Sequence, residues 1–487
     1  FNILDGLMCG VSFYFSQNQS HETELESSLN VTRHRGPDSS NIYCKNFPFG
    51  SVGLGHNRLS IVDLSPLGEQ PMTRGNFTVS FNGEIYNYRE IRQRLIHKGY
   101  KFKSTTDTEV IVNAYAEFGI DCFNILKGMF TFVLLDENIN KVYLVRDSVG
   151  IKPLYIYQNE ESLYASSEIR GLKKFSDVDL AVSKQDIFEF FNTGFLYEPS
   201  TGFQHIRKLL PGHYLTLDML SGHSETARFS NVSSYNDGVS LHDKIASAIK
   251  QQQLADVPVG VFFSGGADST VLACLAKDVD LLFAKYDEDP SSDVDYKYSS
   301  LISQHLDANL NTVYIEGSGS RPTDILKTFY FVADNTEELI SDYTFWPTYR
   351  LSKAAREQGY KVMLSGMGGD EVFAGYPRYL VVKYHNFIRL AAPFLRLMSY
   401  VKLVPESFGK RFDRLLSYVS ESNWAVGYSR LLGYFSTTEL MSLFKDFNSL
   451  SDSYESKLDV IKDAYVGDND RVKLAQHFDS SGFLAHN

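Results

Sequence analysis

The chain has 487 residues, room for two or three domains with sizeable cores. Hydrophobic residues make up 43%, charged residues 22% and aromatics 14%, which excludes wholesale disorder, collagen-like repeats and a disulfide mini-scaffold. A formal charge of −12 argues against a general nucleic-acid binder, which needs clustered Lys and Arg to displace counterions.

Near the N-terminus, Asp5 interrupts an apolar run, no basic segment precedes it, and Met8 is a poor cleavage position before Cys9, so no signal peptide is expected. The four cysteines, Cys9, Cys44, Cys122 and Cys274, form no CxxC pair, so neither a zinc cage nor a disulfide framework is indicated and a reducing, cytoplasmic setting is expected. Cys44, Cys122 and Cys274 read as small buried hydrophobes. No run approaches the ~18–20 apolar residues that cross a bilayer, so membrane insertion is not expected.

Up to about residue 230 the chain reads as short strands, among them Val52–Leu54, Thr78–Phe81, Phe130–Leu135, Val142–Val145 and Leu163–Ala165, separated by turn signals. Ser183 with Asp186 three residues on predicts a capped helix start, and Gly194 a stop. The Ser/Asn/Gly-rich stretch at 230–240 interrupts the periodicity and reads as a linker between domains at 9–229 and 241–487. Beyond it the pattern becomes helix, buried strand, helix: Leu241–Gln252, Val257–Phe263, Ser269–Ala276, then a strand at Leu281–Ala284. That alternation predicts a parallel sheet, whose ligand loops follow the carboxyl ends of its strands. From Leu380 the tail reads as helical, broken at Pro393 and Pro405.

Two loops carry the strongest chemical signal. Ser264-Gly265-Gly266-Ala267-Asp268-Ser269 lies between an apolar strand and a helix, where backbone N–H groups and a helix N-terminus can cradle a polyphosphate. It lacks the Lys of a Walker A loop and the glycine spacing of a dinucleotide fold. Asp268 points instead to magnesium held against pyrophosphate. The second loop, Ser365-Gly366-Met367-Gly368-Gly369-Asp370-Glu371, follows a strand at Lys361–Leu364. Asp268 and Asp370 could then share one phosphate-bound metal. A glycine-rich turn and a capping Asp are the plainer readings, disfavoured because both loops occur together.

These loops resemble the pyrophosphatase-loop synthetase half of the asparagine synthetase family. Independently, Met8-Cys9-Gly10, Arg33-His34-Arg35-Gly36-Pro37-Asp38, Arg58-Leu59-Ser60-Ile61-Val62-Asp63, Gln70-Pro71-Met72, Asn82-Gly83-Glu84-Ile85-Tyr86-Asn87 and Thr106-Asp107-Thr108-Glu109 resemble a class II glutamine amidotransferase domain. The resemblance implies an N-terminal α+β domain of the Ntn-hydrolase αββα type and a C-terminal α/β domain with a parallel sheet. It implies Cys9 as nucleophile with its own α-amine as base, which requires removal of Met8 and leaves Phe1–Leu7 as upstream translation, a tag or a propeptide. An α-amine titrates near 7.7–8.0 and can take a proton, whereas a peptide nitrogen cannot. Asn82 and Gly83 would form the oxyanion hole, Arg58 would hold the glutamine carboxylate, and Asp107 with Glu84 its amine. Ser264, Gly265, Gly266, Asp268, Ser269, Ser365 and Gly366 would bind ATP and pyrophosphate, and Asp268 and Asp370 magnesium. His34 and His56 receive no role.

The reaction so implied joins ammonia from glutamine to a carboxylate activated as an acyl-adenylate, with aspartate the leading acceptor and AMP, pyrophosphate and glutamate as products. Small molecules are the expected partners, with room for a homodimer. Three features depart from the family pattern. Met367 stands where asparagine synthetases generally carry Glu, which raises as alternatives an amidotransferase acting on sugar uronic acids and a non-catalytic paralogue. The family's late segments and lysine would lie beyond Asn487, so the sequence reads as truncated. The third departure is Phe1–Leu7.

Overall fold

The computed structural model describes residues 8–229, 238–286, 290–315, 322–341, 344–400, 406–465, 467–482 and 484. Phe1–Leu7, Pro405 and 230–237 of the expected linker lie outside the described residues. The chain divides into two units, one of 1–180, 205–337 and 343–366, the other of 181–204, 338–342 and 367–487.

In the first unit two six-stranded sheets face each other. One runs in the order Ile206–Lys208, Tyr155–Gln158, Ser162–Ser166, Gly10–Ser16, Gly50–Arg58, Ser39–Phe47. The other runs Ser224–Arg228, His213–Asp218, Lys141–Arg146, Gly128–Asp136, Phe77–Ile85, Met72–Arg74. Every pairing within them is antiparallel. The period of two along a strand decides what each face meets. Val133 and Leu135 join Phe13, Phe15, Val52 and Leu54 in the core between the sheets. Phe132 and Leu134 point the other way, into a core shared with Ile91 and Leu95 of the helix Tyr88–His97 and Ile111 of the helix Asp107–Phe118.

The helix Glu22–Val31 covers the far side of the first sheet, where Gly53 and Gly55 leave room for it. A Cβ on Gly53 would lie 2.9 Å from Leu25, and one on Gly55 3.0 Å from Leu29. This is the expected αββα sandwich, and each of the five predicted strands falls within an observed one.

The same unit holds a parallel four-stranded sheet in the order Leu310–Ile315, Asp280–Tyr286, Val259–Phe262, Val362–Leu364. Val261 pairs with Leu281 on one side and Leu364 on the other, so the loops after Phe262 and Leu364 leave from one edge. The helix Leu241–Gln252 has the predicted bounds, and the next begins at Ala267, two residues earlier than expected. Cys122 is buried, but Cys44 is only half-buried and Cys274 is exposed, on the outward side of the helix Ala267–Leu275.

The second unit is helical. Its core gathers Phe188, Phe195 and Tyr197 with Tyr379, Tyr428, Tyr454 and Phe478. The helix Lys184–Thr193 is capped by Ser183, which accepts from Asp186 N–H, and ends at a left-handed Gly194, as predicted. Pro393 does not break the tail: the helix His385–Tyr400 runs through it. Proline removes one backbone donor, whose partner would be the Arg389 carbonyl, and the helix continues on either side.

Candidate active site

Cys9 immediately precedes the strand Gly10–Ser16, whose residues pair with Asn57 to Ser51 of the neighbouring strand. That pairing sets Cys9 beside Leu59, which donates its N–H to Sγ at 3.3 Å. Burial is the main cause pushing the Cys9 thiol up to about 11. Bound to Met8 through its peptide nitrogen, the residue is therefore a protonated thiol.

The strand Phe77–Ile85 brings three predicted residues alongside. Asn82 is fully buried, and among the described residues its side-chain amide has no hydrogen-bond partner. An unpartnered buried amide is costly unless a ligand completes it. Gly83 has φ +147°, and a Cβ there would lie 2.0 Å from the Met129 carbonyl oxygen, so only glycine fits. Glu84 follows, its carboxyl raised well above its ordinary value by burial and then by Asp107.

Asp107 opens the helix Asp107–Phe118 and accepts Ile85 N–H at 2.9 Å. Burial raises its carboxyl to about 6, against the opposing hydrogen bonds from Ile85 and Thr106. Arg58 is buried, with Nη1 donating to Ser65 O at 2.9 Å and Nη2 to Asp63 O. Both Arg58 and Asp107 thus lie in the interior. Cys9, Arg58, Gly83, Glu84 and Asp107 line one cavity. A cation at one wall and two carboxyls at another suit a zwitterionic amino acid.

Sequence reasoning assigned nothing to Lys152 and Arg35, which the structure places beside the nucleophile. Arg35 Nε donates to the Cys9 carbonyl at 2.9 Å and Nη1 holds Glu168 at 3.0 Å. Lys152 Nζ lies 2.8 Å from Met8 Sδ. Burial, then the charge of Arg35, lowers Lys152 to about 8. Asp147 fixes this loop by accepting N–H groups from Val149, Gly150, Ile151 and Lys152 at 2.7–3.1 Å. The available signal was a Lys embedded in Gly150-Ile151-Lys152-Pro153-Leu154 between two apolar strands. His34 Nε2 lies 2.9 Å from Glu168, and His56, lowered to about 3 by burial, lies 2.9 Å from Phe81 O.

A second, larger cavity is lined by Glu84, Met129 and Lys152 together with Phe262, Val362 and Met363. Glu84 and Ile61 border both cavities. Phe262 and Met363 lie on the parallel strands that lead into the two glycine-rich loops.

In the first loop Gly265 has φ +75°, and Ser269 Oγ lies 3.1 Å from Ser264 Oγ and 3.2 Å from Ser264 N. Gly366 passes close by: its Cβ would lie 3.0 Å from the Asp268 Cβ and 3.1 Å from Ser269 N. The structure therefore brings together Ser264, Gly265, Gly266, Asp268, Ser269 and Gly366, with Ser365 in the same turn. Asp370 belongs to the second unit, on the short helix Gly369–Phe373. Among the described residues no group of three His, Cys, Asp or Glu side chains gathers as for a metal. A hard cation that takes further oxygens from phosphate and water needs fewer protein ligands than that.

A cavity bearing a thiol and buried charges on an αββα sandwich, beside a parallel sheet with two glycine-rich loops, fits a glutamine amidotransferase coupled to a ligase. The family model for a glutamine amidotransferase domain matches residues 8–229, and that for asparagine synthase matches residues 240–485. The chain belongs to the glutamine-hydrolysing asparagine synthetase family. A Methanocaldococcus jannaschii chain whose name assigns it to those synthetases is 30% identical over 432 residues, 80% of each chain. Glutamine-hydrolyzing asparagine synthetase 1 of Bacillus subtilis is 31% identical over 428 residues, 84% of this chain and 65% of that one. The amidase chry2 of Gibberella zeae is 27% identical over 418 residues, 76% of this chain and 60% of that one. This chain therefore spans less than two thirds of the length of two of these relatives. Among the described residues no helix is long and apolar enough to cross a membrane.

Proposed function

We propose that the protein hydrolyses glutamine at Cys9 and transfers the ammonia to aspartate, forming asparagine at the expense of ATP cleaved to AMP and pyrophosphate. The observation that carries this reading is the pair of adjoining cavities: one bears a thiol and amino-acid-binding charges, and the other borders both Glu84 and the strands leading to the phosphate loops.

Removal of Met8 frees the Cys9 amine. That nitrogen takes the thiol proton as Sγ attacks the glutamine amide carbon, and Asn82 with Gly83 N–H receives the negative charge that develops on oxygen. The proton passes to the departing ammonia, and water then releases glutamate from the thioester. Arg58 holds the glutamine carboxylate, and Asp107 holds its amine, with the neutral Glu84 carboxyl as a further hydrogen-bond acceptor. Ammonia crosses the larger cavity, away from bulk water that would protonate it.

In the second half, Ser264, Gly265, Gly266, Ser269, Ser365 and Gly366 position the phosphates by backbone and hydroxyl contacts. Asp268 would hold magnesium, which neutralises phosphate charge when bound. The acceptor carboxylate attacks the α-phosphorus, pyrophosphate leaves, and ammonia displaces AMP from the acyl-adenylate.

One residue favours a second acceptor. Met367, half exposed at 49%, offers no charge or strong acceptor where the family generally has Glu, so a sugar uronic acid is the competing substrate. AMP release with ATP, magnesium and ammonium salt, comparing aspartate with a nucleotide-linked hexuronate, tests both. AMP and asparagine with aspartate support the first reading. AMP with the hexuronate alone replaces it with the second, and AMP with neither overturns both.

A further inference from the structure

We propose that Lys152, with Arg35, is a positioning residue that holds the α-amine of Cys9 in its unprotonated, basic form. This rests on the reading of Cys9 as an amine-activated nucleophile. Residue 8 occupies the space beside two cationic side chains. Lys152 Nζ lies 2.8 Å from Met8 Sδ and Arg35 Nη2 lies 3.9 Å from it. Arg35 is anchored on the other side of the same residue pair, through Nε to the Cys9 carbonyl at 2.9 Å. Both side chains are buried, at 5% and 2% exposure, so solvent screens them little. When Met8 leaves, the new amine lies one residue from the point on which both cations converge, with Arg35 still held at the Cys9 carbonyl. A like charge nearby disfavours a protonated amine.

The other charged groups do not reverse the sign. Glu168 is held by Arg35, His34 and Arg170, so its charge is answered locally. Asp147 faces the backbone N–H groups of 149–152 and Phe130. Glu84 is the charged group that bears most on Cys9, and burial favours its neutral form. Asp107 turns toward Ile85 N–H. With Glu84 neutral, Arg35 and Lys152 are the charges that set the sign at the amine. An α-amine at its ordinary 7.7–8.0 would be largely protonated at neutral pH; lowered, it can accept the thiol proton directly. The proton that moves is that of Cys9 Sγ, and it leaves with ammonia, so Lys152 acts through the amine and exchanges no proton of its own.

The test is a titration of the α-amine in full-length protein labelled with 15N-cysteine, after intact mass has established loss of Met8. A midpoint below 7 is expected; a midpoint at 7.7–8.0 or above overturns the proposal. The pH profile of kcat/KM for glutamine hydrolysis provides the second readout. Lys152→Met should move the acidic limb up by about one pH unit, the scale of one nearby charge, while Lys152→Arg, which keeps the charge, leaves the limb in place. An unmoved limb in Lys152→Met, with activity merely reduced, overturns the proposal. Ammonia-supported AMP release reports whether each variant folds, and the wild-type titration decides if one does not. Retention of Met8 in active enzyme would instead sink the underlying reading of Cys9, a separately visible failure.

Discussion

Lys361 Nζ lies 2.8 Å from the Asp38 carboxylate, joining the residue that precedes the strand Val362–Leu364 to the segment that carries Arg35. Burial alone would raise Asp38, but hydrogen bonds from Lys361 and Ser60 outweigh it and hold the carboxyl below its ordinary value. Both side chains are about a third exposed, at 34% and 32%, so the pair contributes roughly 0.2–1 kcal/mol. Lys361 also lines the larger cavity. Lys361→Met should leave Tm and ammonia-supported AMP release nearly unchanged, and lower the amide formed per glutamine hydrolysed. Parallel assays of glutamate and amide product check this; an unchanged ratio removes Lys361 from ammonia retention.

Cys9→Ala should lower glutamine hydrolysis by about 10³-fold or more, the scale of losing a covalent nucleophile. The same variant should release AMP with ammonium salt as wild type does. Comparing the two nitrogen sources in one preparation is sufficient.

Gly83→Ala places a methyl 2.0 Å from the Met129 carbonyl oxygen at φ +147°. The backbone must shift, at a cost of about 1–3 kcal/mol in stability for the strained conformation alone. Glutamine hydrolysis should fall mainly in kcat, because Gly83 N–H would move from the developing oxyanion. Urea denaturation and steady-state kinetics separate these two effects.

The Asp107 carboxyl, raised to about 6 mainly by burial, binds its proton more tightly folded than unfolded. Its contribution to stability is therefore full below about pH 4 and is lost as pH rises through 6. The charged form, which pairs with an amine, prevails above that point. KM for glutamine should rise as pH falls below 6, and Asp107→Asn should raise KM at pH 7 while flattening that limb. A wild-type KM that stays constant from pH 5 to 7 contradicts this role.

Gly366→Val would drive a branched side chain toward Asp268 Cβ and Ser269 N, which already lie 3.0 and 3.1 Å from an added Cβ. ATP-dependent AMP release should be lost and glutamine hydrolysis retained. Nucleotide titration by fluorescence or calorimetry distinguishes lost binding from lost chemistry.

The strand at Phe130–Leu135 was legible as an apolar run because Val133 packs against the partner sheet and Phe132 against helices. Cys9, Gly83 and Ser264–Ser269 were legible because their chemistry demands particular residue types in short runs. Lys152 was not, since its meaning lies in a neighbour 144 positions away that no local pattern encodes. Pro393 misled for a physical reason: one missing N–H is a local loss, while helix continuation is decided by what both flanks bury. Cys274 misled because a small apolar side chain costs little at a surface.

The segment 181–204 precedes the linker in sequence but contributes Phe188, Phe195 and Tyr197 to the aromatic core of the helical second unit. A chimera made by exchanging everything up to residue 229 for another amidotransferase half would take those three rings away and supply strangers in their place. The two halves have thus become co-dependent in inheritance: their junction in sequence is not a seam at which recombination can freely cut.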